Sequence, residues 1–138
     1  MQHKHPIAGI GAVVIHNHKV LLVKRAKPPK QGLWCIPGGK IRFGENLQQA
    51  AEREIQEETG VVIKAGEPVY VFDVIDNDKF HYVVVDLLAE YISGTVKPND
   101  DASDAKWFAI HEIELPDVDL ETKTLLRKLM TQRLDFLQ

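Results

Sequence analysis

Cysteine is almost missing from this 138-residue chain: Cys35 stands alone, which excludes an internal disulfide and fits a reducing compartment, with the cytoplasm expected. Long apolar runs are missing too. None approaches the roughly 20 residues that a membrane-spanning helix needs. The N-terminal Met-Gln-His-Lys-His-Pro is followed by no signal-peptide core, because Gly9 and Gly11 interrupt the first apolar stretch and its residues alternate like a strand. Repeats, low-complexity tracts and linkers are also absent, so residues 1–138 are expected to form one domain, large enough to bury a real core.

One absence is local. Residues 1–44 hold no Asp or Glu, yet carry Lys4, Lys19, Lys24, Arg25, Lys27, Lys30, Lys40 and Arg42. All 20 acidic residues lie after them, against a net charge of −3. Lys4 and Lys19 read as ordinary solvated cations. The run from Lys24 to Arg42 suits a polyanion whose other contact is a metal on the acidic half. No nucleic-acid recognition motif accompanies it, so a small molecule is the expected partner, with no nucleic acid and no membrane.

Along the chain, residues 7–15 and 19–24 read as strands joined by a His-Asn-His turn, and residues 33–36 as a short strand ended by Pro37-Gly38-Gly39. A helix is predicted over 46–59. Two longer strands follow at 61–75 (with a break at 66–68) and 80–92, then a polar loop at 93–105. A short strand through Trp107-Phe108 leads into a last helix over 119–137. Its Leu125, Leu126, Leu129, Met130, Leu134 and Leu137 form an apolar stripe at helical spacing. The sum is an α/β chain, a mixed sheet with a helix on each side.

The first helix breaks local rules. Asn46 and Gln49 stand where a capping box needs them, Gly60 suits the left-handed residue after the end, and Leu47, Ala50, Ala51 and Ile55 make the buried stripe. But Glu54, Glu57 and Glu58 share one side, and like charges at that spacing repel by about 0.2–0.5 kcal/mol per pair. Anions in the last turn are further disfavoured by roughly 0.3–1 kcal/mol each. Such uncompensated cost points to function. Mg²⁺ would turn the repulsion to use, since it takes carboxylate oxygens and shares its shell with phosphates and water. The glycines before the helix permit close backbone approach and expose a carbonyl as another hard ligand.

Gly39, five residues, Glu45, seven residues, then Arg53-Glu54-Ile55-Gln56-Glu57-Glu58-Thr59-Gly60-Val61 resembles the complete box of the Nudix family. The flanks, Val23-Lys-Arg-Ala, Gly32-Leu-Trp-Cys-Ile-Pro-Gly-Gly and Asp100-Asp101-Ala to Trp107-Phe108, resemble it as well. The resemblance implies an α/β/α sandwich around a mixed sheet and a Mg²⁺-dependent pyrophosphohydrolase, with Mn²⁺ as a substitute. It implies Glu54, Glu57 and Glu58 with the Gly38 carbonyl as metal ligands, and Arg53 and Glu45 as the pair that orients them. The catalytic candidates are Glu54, Glu57, Arg53 and Asp101; of these Glu54 or Asp101 takes the water proton, with Asp100 and Asp104 as rivals to Asp101. Arg25 and Lys40 are candidates for phosphate, and Trp34 and Phe43 for a base or ribose. Cys35 reads as a small buried hydrophobe, and His3, His5, His16 and His18 as no metal site.

The pattern is most similar to small ADP-ribose pyrophosphatases, which would release AMP and ribose 5-phosphate. Where many of those enzymes carry a proline beyond the box, this chain reads Ile75-Asp76-Asn77-Asp78. The alternatives are a nucleoside triphosphate pyrophosphohydrolase that clears oxidised nucleotides, and a catalytically silent nucleotide sensor. The protein is expected to be a monomer or homodimer.

Overall fold

The computed structural model describes residues 4–76 and 78–132. His3, Asn77, Leu134 and Leu137 therefore lie outside the described residues. Among the described residues, seven strands and two helices run in the order β1 (Ile7–His16), β2 (Lys19–Arg25), β3 (Trp34–Cys35), β4 (Gly38–Lys40), α1 (Leu47–Thr59), β5 (Val62–Asp76), β6 (Phe80–Ser93), β7 (Ala102–Ala109) and α2 (Leu120–Gln132), with a 3₁₀ turn at Ile110–Glu114.

The sheet is mixed. β1 pairs in parallel with β6 over Ile7–Ile15 and antiparallel with β2 only at the hairpin, where Ile15 faces Val20 and His16 faces Lys19. Asn17 and His18 both adopt positive φ, at 51° and 62°, as a two-residue turn matched to strand twist requires. Beyond the hairpin β1 and β2 diverge. β3 pairs with β2 and β4 with β1, so residues 34–40 wedge between them. β7 covers the far edge of β2, and β5 pairs with β6.

Side-chain alternation divides the core in two. Ile10, Ala12, Val14 and Leu21 pack with Leu87 against Ala50, Ala51 and Ile55 of α1. Val13, Val20 and Leu22 point the other way, against Leu125, Leu126 and Leu129 of α2, with Met130 partly buried beside them. The helix-on-each-face expectation holds.

Three local expectations change. Pro37-Gly38-Gly39 does not merely end a strand, because Gly38–Lys40 is itself a strand on β1. The polar loop closes at Ala102, not after Ala105: Ala102 and Ala105 are buried with Val23 while Ser103 and Asp104 face out. The expected break at residues 66–68 becomes a pair of register shifts within β5, flanking Pro68. Among the described residues no helix is long and apolar enough to cross a membrane.

Candidate active site

α1 begins and ends as its residues dictate. Asn46 Oδ1 accepts from the Gln49 amide at 2.8 Å and Gln49 Oε1 from the Asn46 amide at 3.0 Å, a reciprocal cap of about 1 kcal/mol. Gly60 takes φ 77° after the last turn. The orphan carbonyls there find partners in the next loop: Lys97 N–H donates to Thr59 and Asn99 N–H to Glu58, at 2.8 and 2.9 Å. This fixes the end of the helix that bears the acids.

Arg53 organises two of those acids. Its Nε and Nη2 donate to the two carboxylate oxygens of Glu45 at 2.6 and 2.8 Å, and Nη2 also donates to the Lys40 carbonyl at 2.9 Å. Nη1 donates to Glu54 at 2.7 Å and Glu57 at 3.2 Å. The planar fork is thus wholly engaged and ties the box loop to the helix. The Arg53 hydrogen bonds hold the Glu45 carboxyl down at about 2. Arg53 itself is raised by Glu45 and then Glu54.

Glu58 turns elsewhere. It is 4% exposed and accepts from the Gly38 amide at 3.0 Å. Burial pushes its carboxyl up to about 7, the Gly38 hydrogen bond and Arg25 pull it back, and Glu54 and Asp101 push it further. The glycines permit this closeness. A Cβ at position 38 would sit 2.0 Å from the Ile10 carbonyl oxygen, and one at 39 would sit 2.2 Å from Glu54 Oε2.

A cavity of about 890 Å³ opens over these groups. Gly38, Gly39, Lys40, Glu54, Glu57 and Glu58 line one side, and Arg25, Lys27, Lys30 and Arg42 supply cations. Arg25 is held by its Nε, which donates to the Pro29 carbonyl at 2.7 Å. Asp100 and Asp101 reach the cavity, whereas Asp104 does not; Asp104 accepts from the Ala105 amide instead. Asp101 pairs with Lys27 at 3.1 Å. Lys24 is also outside, so the basic run converges in part.

The assignment of Trp34 to substrate is corrected. Trp34 is 5% exposed, packs edge-on against Phe108 at 4.9 Å between centroids, and belongs to the core under α2. Its ring takes the buried face of a paired strand and does not line the cavity. Phe43 is the opposite case, fully exposed and outside the cavity. Cys35 does reach the cavity wall, and burial drives its thiol up to about 12, so it is neutral and unreactive. The His16 ring packs on Tyr91 and Trp107 at 4.3 and 5.8 Å. Sequence reasoning missed Asp86, a buried acid of β6 on the cavity floor.

Among the described residues, no three acidic, histidine or cysteine side chains clasp a single point as placed, because Glu54 and Glu57 face Arg53 and Glu58 faces Gly38. The donor set nonetheless fits a hard divalent cation. Glu58 is buried beside like-charged Glu54 and Asp101, an arrangement that a cation relieves.

The NUDIX domain family model matches residues 5–129. The chain belongs to the Nudix family of hydrolases. An ADP-ribose pyrophosphatase of Methanocaldococcus jannaschii is 30% identical over 127 residues, covering 91% of this chain and 74% of that protein. An NAD-capped RNA hydrolase, NudC, of Vibrio atlanticus is 30% identical over 128 residues, but the chain spans only 44% of it. A crystal structure of a MutT NUDIX hydrolase from Burkholderia pseudomallei superposes with a TM-score of 0.81 at 30% identity, covering 91% of this chain and 99% of that one.

Proposed function

We propose that this protein hydrolyses the phosphoanhydride bond of a nucleoside diphosphate linked to a second group, with Mg²⁺ as cofactor and ADP-ribose as the preferred substrate. The observation that carries the reading is the meeting of three α1 carboxylates with Arg25, Lys27, Lys40 and Arg42 around one cavity. The name of the Methanocaldococcus relative supports the choice of ADP-ribose.

Glu54, Glu57 and Glu58, with the Gly38 carbonyl, are the groups that would hold Mg²⁺. When bound, the ion neutralises diphosphate charge and makes hydroxide accessible near neutral pH. The chain's own residues do the rest. Arg25, Lys40 and Arg42 orient the diphosphate, the guanidinium forks suiting phosphate oxygens. Water attacks one phosphorus, the bridging P–O bond breaks, and the departing phosphate keeps the bond's electron pair. Glu54 or Asp101 takes the proton of the attacking water. Arg53 acts through Glu54 and Glu57 without touching substrate.

A screen of purified enzyme with Mg²⁺ against ADP-ribose, NAD, other nucleoside diphosphate derivatives and oxidised triphosphates tests this, scored by product identity. AMP and ribose 5-phosphate with the highest kcat/KM on ADP-ribose is the expected result. Faster release of pyrophosphate from a triphosphate would overturn the substrate choice, and no turnover of any would overturn the enzyme reading.

A further inference from the structure

Asp86 stands apart from everything the proposed chemistry uses. It lies on β6, in register with Gly11 of β1 on one side and Tyr70 of β5 on the other. It is 4% exposed and lines the floor of the cavity. Position 11 has to be glycine for it to be there: a Cβ on residue 11 would sit 2.2 Å from Asp86 Oδ1.

Among the described residues, no hydrogen bond or ion pair reaches this carboxylate. Donors around it are committed elsewhere. Tyr70 donates its hydroxyl to Glu121 at 3.0 Å, and the Lys30 ammonium donates to Asp119 at 3.0 Å. Lys30 acts on Asp86 as a favourable charge without bonding to it, and Glu121 as an unfavourable one. Sealing a carboxylate away without donors is costly, and here its oxygens open on the cavity, so their donor has to come from what the cavity holds. A chain that keeps one in the wall of its cavity gains something when the cavity is filled.

The surroundings say what fills it. Phe72 and Val74 of β5 and Tyr82 and Val84 of β6 line the same cavity, with Phe72 opposite Val84 and Val74 opposite Tyr82. They make an apolar shelf that ends at Asp86. Gly9 and Gly11 on the adjoining strand keep the space above the sheet open. Gly11 in turn pairs with Gly38, and the same Cβ on residue 11 would stand 3.2 Å from the Pro37 carbonyl oxygen, so the Asp86 carboxylate lies over β1 beside the box loop. An ionised carboxylate only accepts hydrogen bonds and repels a diphosphate, so its partner is a donor-bearing part of the nucleotide beyond the phosphates.

We propose that Asp86 is a specificity-determining residue, which accepts hydrogen bonds from the O–H or N–H donors that a bound substrate lays at the end of the Phe72–Val84 shelf, either sugar hydroxyls or an exocyclic amine of the base. The inference rests on the nucleotide-hydrolase reading above, and it assigns the end of the site that the box residues leave undefined.

A cycle between protein and ligand tests it. Wild type, Asp86→Ala and Asp86→Asn are assayed with Mg²⁺ on ADP-ribose and on analogues lacking a hydroxyl on the adenosine ribose, a hydroxyl on the terminal ribose, or the adenine amine. Asp86→Ala is expected to raise KM roughly 10- to 100-fold, the usual worth of a charge-assisted hydrogen bond, with kcat little changed. Asp86→Asn, which keeps one acceptor oxygen, loses less. One analogue should lose a similar factor with wild type and nothing further with Asp86→Ala, which identifies the donor as sugar or base. If the screen favours a different nucleotide, the same cycle runs on donor-deleted forms of that one, so a wrong substrate and a wrong Asp86 role give different results. Additive losses for every analogue would overturn the proposal, as would a fall in kcat with an altered Mg²⁺ requirement, which would place Asp86 in the chemistry. Should both variants fail to fold, wild type that discriminates against none of the analogues overturns it equally.

Discussion

Gly39 and Glu54 occupy the same small volume: the nearest carboxylate oxygen would lie 2.2 Å from a Cβ at residue 39, and the carboxyl carbon 2.4 Å. The obstacle is the end of a flexible side chain, so Gly39→Ala can fold by pushing Glu54 aside. We expect stability within about 1 kcal/mol of the parent, as for substitutions that open no cavity, and a fall in kcat of at least about tenfold from the displaced carboxylate. Gly38→Ala is the contrast, because its Cβ meets the Ile10 backbone oxygen at 2.0 Å and backbone cannot rotate away. Thermal melts and kcat for the pair distinguish the two: a stable, fully active Gly39→Ala would contradict the contact.

Glu58→Gln preserves an acceptor for the Gly38 amide and removes a charge buried beside Glu54 and Asp101. Without metal the variant should melt no lower than the parent. With Mg²⁺ it should lose activity by roughly 10- to 100-fold or more, the scale on which metal sites respond to altered ligation. Metal-free melting curves and a Mg²⁺ titration of kcat check both halves, and unchanged turnover would remove Glu58 from the ligand set.

The loop acids now rank differently. Asp101 lines the cavity and Asp104 does not. Asp101→Asn should lower kcat far more than it raises KM if Asp101 handles the water proton, while Asp104→Asn leaves both near the parent. Equal behaviour of the two variants would reduce Asp101 to a partner for Lys27.

Asp86 makes the fold sensitive to pH. Burial, the largest influence, pushes its carboxyl up from 3.8 to about 7, with Lys30 opposing and Glu121 adding. Between those values the folded chain holds a proton that the unfolded chain has released, so stability declines as pH rises through that window and levels off above 7. The contribution is on the order of 4 kcal/mol at most. Asp86→Asn cancels it. The melting temperature of the variant should therefore gain on the parent from about pH 4 to just above 7 and stay level beyond; a difference constant across that range would show that the carboxyl titrates normally.

How much of this was legible depended on distance along the chain. α1 was readable because its caps, stripe and acids are all local: Asn46, Gln49 and Gly60 announce the ends by themselves. Asp86 was not, since Tyr82-Val-Val-Val-Asp86 reads as any strand residue run, and only pairing with Gly11 shows the acid to be buried. Trp34 failed for a related reason. Which side of a two-residue strand faces the core is decided by Phe108 and α2, both far away in sequence. The strand Gly38–Lys40 was hidden because two glycines have no side-chain alternation to read. Asp101 and Asp104 look alike in a polar run, and the β2–β7 register separates them.

The parallel pairing of β1 with β6 joins residues 7–15 to residues 82–90. A contact between such distant stretches cannot form until the intervening chain has closed a long loop, and its entropy is spent before the pairing returns any energy. α1 lies inside that loop, so its box can be helical early while the floor beneath it is still missing. Catalytic competence should accordingly lag behind helix formation during refolding, with the acids gathered before there is a cavity for them to serve.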